Sequence, residues 1–340
     1  MMNRLKRRQL FCGWAALGVL GPAGFSPVAR GQAVINVAGA TSQFQSWKLA
    51  SGAAILDPSK DTQTGIMNAD FLGLAAGTTG FSAVPASDVA SSMVTAGTIG
   101  GVDHLVFRYR MSDYNGTKTY VGSAISVGIG FKDLSGAGVT TIYATVDSNN
   151  AGQQFFFQGG GAGLNDGPST TTLDGGVFAG NPYTKAAPLM LTTGTNWSYQ
   201  KVSVLGDTNY DRAATNGTDE NAYITFAIKF SDLQAATRAL TGSTTFTMGY
   251  ATQMAFVGWT ATQTQSINQD INGTLGISTA SWSSMGAFTD YVDATGVKPI
   301  IPEAATVMQV GVVLLIWLGR AYWLRGKSRP ETRVSAATTH

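Results

Sequence analysis

Hydrophobic and polar residues alternate most strictly at 222–230, AYITFAIKF, where Tyr223, Thr225, Ala227 and Lys229 interleave with Ile224, Phe226, Ile228 and Phe230. Successive side chains of a strand point to opposite faces, so a period of two predicts a β-strand there. Looser versions occur at 104–111 (HLVFRYRM), 119–131 (TYVGSAISVGIGF), 139–147 (VTTIYATVD), 153–158 (QQFFFQ), 199–205 (YQKVSVL) and 244–251 (TTFTMGYA), each rich in β-branched or aromatic residues. Asp113-Tyr114-Asn115-Gly116 predicts a hairpin, because Asn-Gly tolerates the positive φ of a type I′ turn. A helix is predicted once, at 232–240, with Ser231 as its N-cap and Asp232 in its first turn. Residues 73–101, rich in Gly, Ala, Ser and Thr, read equally as a long loop or a weak strand pair. Residues 159–188 read as a surface loop or a seam between two halves. Strands separated by turn clusters, with one short helix and no fixed-period repeat, predict an all-β fold. The expected form is a β-sandwich of two antiparallel sheets packed face to face, arranged as a jelly roll.

The two ends follow other patterns. Residues 304–324 are apolar over 21 positions, with Arg320 as the sole charge. A helix of that length reaches roughly 30 Å, about one bilayer core. Arg320 lies near its end and can snorkel, Trp317, Tyr322 and Trp323 suit the interfacial belt, and Arg325, Lys327 and Arg329 follow as a cytoplasmic membrane stop. At the other end, Arg4, Lys6, Arg7 and Arg8 form a positive region, residues 11–25 are apolar, and Gly31-Gln32-Ala33 supplies small residues for cleavage. That is the pattern of a secretory signal peptide cut after Ala33; Arg7-Arg8 also partly matches a twin-arginine signal. The expected organisation is a signal peptide at 1–33, an exported β-sandwich at 34–298, a sorting tail at 299–329 and a disordered cytoplasmic segment at 330–340.

The tail has three parts: a Pro302-Glu303 break, the apolar run and the basic cluster. This layout resembles the PEP-CTERM sorting signal, the C-terminal tag of substrates of exosortase-type transpeptidases. Pro302 and Glu303 match the first two residues of the family's Pro-Glu-Pro, and Ala304 stands in place of the third. The resemblance implies membrane insertion through the C-terminal helix, an exosortase-type transpeptidase as partner, and delivery to the cell surface or to extracellular polysaccharide. Within the body, DPSKD…NADF, ATVDSNN, and FAIKFSDLQ followed by NQDING resemble a loosely defined group of exported bacterial β-domain proteins. That likeness implies architecture and location only.

Charge supports the same division. Between Val34 and Pro302 the chain carries 12 Lys and Arg against 18 Asp and Glu, so the body is mildly acidic and offers no basic patch for nucleic acid. The single cysteine, Cys12, lies in the leader, which excludes disulfides and thiolate metal sites from the exported part.

Catalytic motifs are absent. His104 is the only histidine apart from His340, and no Gly-x-Ser-x-Gly or HExxH occurs, so His104 reads as a structural residue. A glycosidase needs two facing carboxylates, and Glu220 is the only Glu in the body; scattered Asp at turns is the commoner explanation. The densest set of hard oxygen donors is Asp207, Asn209, Asp211, Asn216, Asp219 and Glu220, a candidate calcium loop without the EF-hand spacing, with Asp147 and Asn149 as a weaker pair. Trp197, Tyr199, Tyr210, Trp259 and Trp282 are candidates for stacking on sugar rings, most of them expected in the core. These readings predict a non-enzymatic surface protein with a structural or interaction role. The alternatives are a carbohydrate-binding module stabilised by calcium and an enzyme acting on polysaccharide.

Overall fold

The computed structural model describes residues 33–49, 51–78, 88–114, 121–135, 142–148, 154–159, 182–183, 189–205, 220–262, 269–273 and 289–294. Contacts part the chain between Ala33 and Val34, and every element below belongs to the second unit, Val34–His340. The described part is mostly β, with two antiparallel sheets and few helices.

The first sheet contains β1 (Gln45–Ser46), β2 (Ser92–Ile99), β3 (Val102–Met111), β9 (Trp197–Lys201) and β10 (Ala222–Lys229), in the order β1-β2-β3-β10-β9. The second contains β4 (Ala124–Phe131), β5 (Ile142–Asp147), β6 (Gln154–Gly159), β7 (Pro182–Tyr183), β8 (Leu189–Met190), β11 (Met254–Ala261) and β12 (Asp270–Ile271). Its order is β12-β11-β4-β5-β6-β7, with β8 also paired to β6. Two long-range pairs build the sheets: β3 with β10, where Phe107 faces Phe226, and β4 with β11, where Phe131 faces Met254.

The sheets meet through their apolar faces. Leu105, Phe107, Tyr109, Ile224, Phe226 and Ile228 from the first pack with Ile125, Val127, Ile129, Ile142, Val146 and Phe256 from the second in one buried cluster. Trp47, just after β1, is wedged between them. It stacks on Phe256 at 4.9 Å and meets Phe107 and Tyr109 edge-on at 5.7 and 5.6 Å. Such ring pairs contribute about 0.5–1.5 kcal/mol each beyond the area they bury.

The outer face of the first sheet is covered as well. Ile35, Val37 and Phe44 from the start of the body pack on Met93, Val106, Tyr223 and Ala227, with Val202 and Leu205. The guanidinium of Arg108 lies 3.9 Å from the Phe44 ring centre; its Nε donates to Thr225 Oγ1 (2.9 Å) and its Nη2 to the Val37 carbonyl (3.0 Å). Of the second set in the β10 alternation, Tyr223, Thr225 and Ala227 are therefore buried too, under this layer, and only Lys229 is exposed.

Several expectations change. β2 joins β3 through Gly100 and Gly101, both with positive φ (59° and 78°). Both faces of β2 are buried, so it shows no alternation, which is why the sequence left 73–101 undecided. β3 and β4 lie in different sheets and do not pair as a hairpin; the predicted turn residues Asn115 and Gly116 lie outside the described residues. Neighbouring strands mostly stay within one sheet (β2-β3, β4-β5-β6, β9-β10), whereas in a jelly roll they would alternate between sheets, so the order departs from the expected one.

The predicted helix is α2, Phe230–Thr241, but Lys229 is its N-cap and Ser231 lies inside it, because the helix begins directly where β10 ends. A short helix, α1 (Lys132–Ser135), follows β4. Residues 244–251 form no strand. Their alternation is real, with Phe246 and Met248 buried, but the partner is α2: Arg238 Nε donates to the Phe246 carbonyl (2.7 Å) and the Met248 N–H to Gln234 Oε1 (3.0 Å). β9 stops at Lys201 and passes into a 3-10 turn, Val202–Leu205. The leader up to residue 32 and the tail with its helix at 304–324 lie outside the described residues. Among those described, no helix is long and apolar enough to cross a membrane.

Removing the wedge should separate the sheets. Trp47→Ala is expected to lower the unfolding free energy by about 3–5 kcal/mol, read from urea unfolding of the full chain beside the wild type.

A buried carboxylate cluster as candidate metal centre

Three aspartates from two stretches far apart in sequence meet at one end of the two sheets. Asp57 and Asp61 flank the turn DPSKD, and Asp270 lies on β12. One oxygen from each carboxylate lies within 4.8 Å of those of the other two. Asp57 and Asp270 are fully buried, and Asp61 is half-buried.

The backbone explains the convergence. Asp57 and Gly73 form an antiparallel bridge with hydrogen bonds in both directions, 3.2 and 2.9 Å. The approach is so close that a Cβ on Gly73 would come within 2.7 Å of Leu56 Cα, so glycine is required there. The returning segment is tied to the end of β3: the Leu72 N–H donates to the Arg110 carbonyl (3.0 Å) and the Ser112 N–H to the Asp70 carbonyl (2.8 Å). It is also tied to β12. The Phe71 N–H donates to Asp270 Oδ2 (2.6 Å), the Gln63 N–H to the Gln269 carbonyl (2.9 Å), and the Gly273 N–H to Asp57 Oδ2.

These bonds use one oxygen of each buried carboxylate. Asp57 Oδ1 and Asp270 Oδ1 are buried with no hydrogen-bond partner. A fourth acid, Asp70, stands alongside. It accepts from the Lys60 N–H (2.8 Å), the Asp61 N–H (3.2 Å) and the Ser112 hydroxyl. Burial pushes the carboxyls of Asp57 and Asp270 well above the usual carboxylate range, and repulsion from the neighbouring carboxylates adds to it. Burial also raises Asp70, to about 7, against the opposing hydrogen bonds from Ser112 and Lys60. Oxygen donors without thiolate or imidazole suit a hard cation such as calcium or magnesium, and not zinc.

The residues singled out from sequence are distributed otherwise. Asp207, Asn209, Asp211, Asn216 and Asp219 lie outside the described residues, as do Asn149, Tyr210 and Trp282. Glu220 is buried, and its Oε1 accepts from the Ser203 N–H (3.1 Å) and hydroxyl, at the 3-10 turn after β9. Asp147 ends β5 and takes no part in the cluster. His104 Nδ1 donates to the Val102 carbonyl (2.7 Å), and burial holds its pKa below the ordinary value, as befits a structural histidine. Trp197, Tyr199 and Trp259 are buried. Sequence reading missed the aspartate cluster, although both of its halves, DPSKD…NADF and NQDING, are visible as polar stretches that carry Asp. The missing signal is their contact.

No family model, curated protein or solved structure matches this chain.

The raised carboxyls set the sign of a pH dependence. A group that holds its proton more tightly when folded contributes stability that is complete below its unfolded pKa, near 4, and is lost as pH rises through the folded value. For Asp70 that window closes at about pH 7, and Asp57 and Asp270 act in the same direction. In EDTA the melting temperature should therefore fall as pH rises from 5 to 8. Asp70→Asn should flatten the part of that slope nearest neutrality, as thermal melts of both chains would record.

Proposed function

We propose that this chain is an exported β-sandwich protein with a structural or interaction role at the cell surface or in the extracellular matrix. The observation that carries the role is the placement of the clustered acids. Asp57, Asp70 and Asp270 are sealed inside, where they can hold an ion but cannot reach a polymer lying on the surface. A polysaccharide hydrolase needs its two carboxylates open to a groove. The burial of Trp197, Tyr199 and Trp259 supports the same reading over stacking on sugar rings.

Export and anchorage are supported by the two ends. The leader at 1–33 directs the chain out, and the body carries no cysteine. The helix at 304–324, stopped by Arg320, Arg325, Lys327 and Arg329, holds it in the membrane. An exosortase-type transpeptidase then acts near Pro302-Glu303, passing the body to the surface or to exopolysaccharide.

Intact mass of the protein recovered from the cell surface tests this. An N-terminus at Val34 and a C-terminus near residue 302 are expected. A full-length product that keeps residues 1–33 in the cytoplasm would refute export. A product cut only at the N-terminus would make the tail a permanent anchor.

A further inference from the structure

We propose that Asp57, Asp61 and Asp270 bind a calcium ion, which staples the 57–73 excursion of the first sheet to the edge strand of the second. This is a different place from the Asp207 loop indicated by sequence, and it stands on geometry independently of export.

The distances fit the ion. Calcium–oxygen bonds are about 2.4 Å, so ligands on opposite sides of one ion stand about 4.8 Å apart. All three carboxylate oxygens fall within 4.8 Å of one another. Magnesium prefers shorter bonds and keeps several of its waters, which suits a site built of buried side chains poorly. Calcium accepts many protein oxygens in irregular geometry.

The hydrogen bonds prepare the site. The Gly273 and Phe71 N–H groups hold Oδ2 of Asp57 and of Asp270, which fixes each carboxylate plane and leaves each Oδ1 buried with no donor. An anionic oxygen taken from water with nothing in return is costly, and a cation bound there removes that cost. Asp70 accepts the backbone N–H of Asp61, so it positions that ligand.

The ion would span two bodies of structure. On one side, Asp57 and Asp61 belong to the segment bound to β3 through Leu72, Asp70 and the Phe71–Met111 bridge. On the other, Asp270 pairs with Thr260 of β11 on the two-residue edge strand β12. So short a strand has little ladder of its own, and it gains most from an added tie.

The test uses the full chain in mild detergent, stripped with EDTA and returned to calcium, magnesium or terbium. Saturating calcium should raise the melting temperature by about 5 °C or more, and magnesium should give less than half of that shift. Terbium should show emission sensitised by aromatic residues that calcium displaces. Asp270→Asn should lose both responses while melting in EDTA no lower than the wild type, since one of the crowded charges is gone. Asp61→Asn, at a half-buried position more tolerant of change, should weaken calcium binding at least tenfold if Asp270→Asn fails to fold. An unresponsive wild type, or a wild-type response in Asp61→Asn, would overturn the assignment. So would a response lost in Asp211→Asn but kept in Asp270→Asn, which would return the ion to the loop around Asp207.

Discussion

Everything in this fold depends on one apolar contact, the meeting of the inner faces of the two sheets around Trp47. Neither sheet holds without it. A lone sheet with one greasy face stays in water only if that face is covered, and here each covers the other. The indole closes the gap at the point where β3 and β11 face each other, stacked on Phe256 and edge-on to Phe107 and Tyr109. With no cysteine between residues 34 and 302, packing of this kind and not disulfides holds the sheets together.

A polar seam lies beside that apolar contact and obeys the opposite rule. Asp57, Asp70 and Asp270 are buried, and Asn272, two residues after Asp270, accepts from the Ser91 hydroxyl and donates to Ser92 Oγ (2.7 Å) at the start of β2. Like charges in a dry place repel, and each raises the free energy of the next. A cation bound among them, as proposed above, would offset that repulsion and tie the two sheets together.

The outer face of the first sheet shows how far burial extends. Arg108 is fully buried under Phe44, with hydrogen bonds to Thr225 and to the Val37 carbonyl. Arg110 donates to Asn221 Oδ1 (2.9 Å), and Asn221 Nδ2 donates to the Ser112 carbonyl (2.6 Å). The residues that begin the body, Ile35, Val37 and Phe44, form the lid of this layer. Residues 35–44 are thus part of the packed structure.

Local chemistry was legible from the sequence alone. The alternation at 222–230 is β10, QQFFFQ lies on β6, and the run before the predicted helix leads into α2. Period and residue type act over a few positions, so the chain shows them directly. Where reading failed, the deciding partner was distant. Phe246 and Met248 alternate like a strand but are held by α2, and β3 pairs with β2 and β10, not with β4, the next strand along the chain. Glu220 accepts from Ser203 through Oε1, and the other residues of its candidate loop lie outside the described residues. The candidate centre is the plainest case. Phe71 and Asp270 are 199 positions apart, and nothing in either turn says that the other will face it. Only closure of the two sheets brings those carboxylates together, because their positions follow from strand pairing across the whole body and not from the residues beside them.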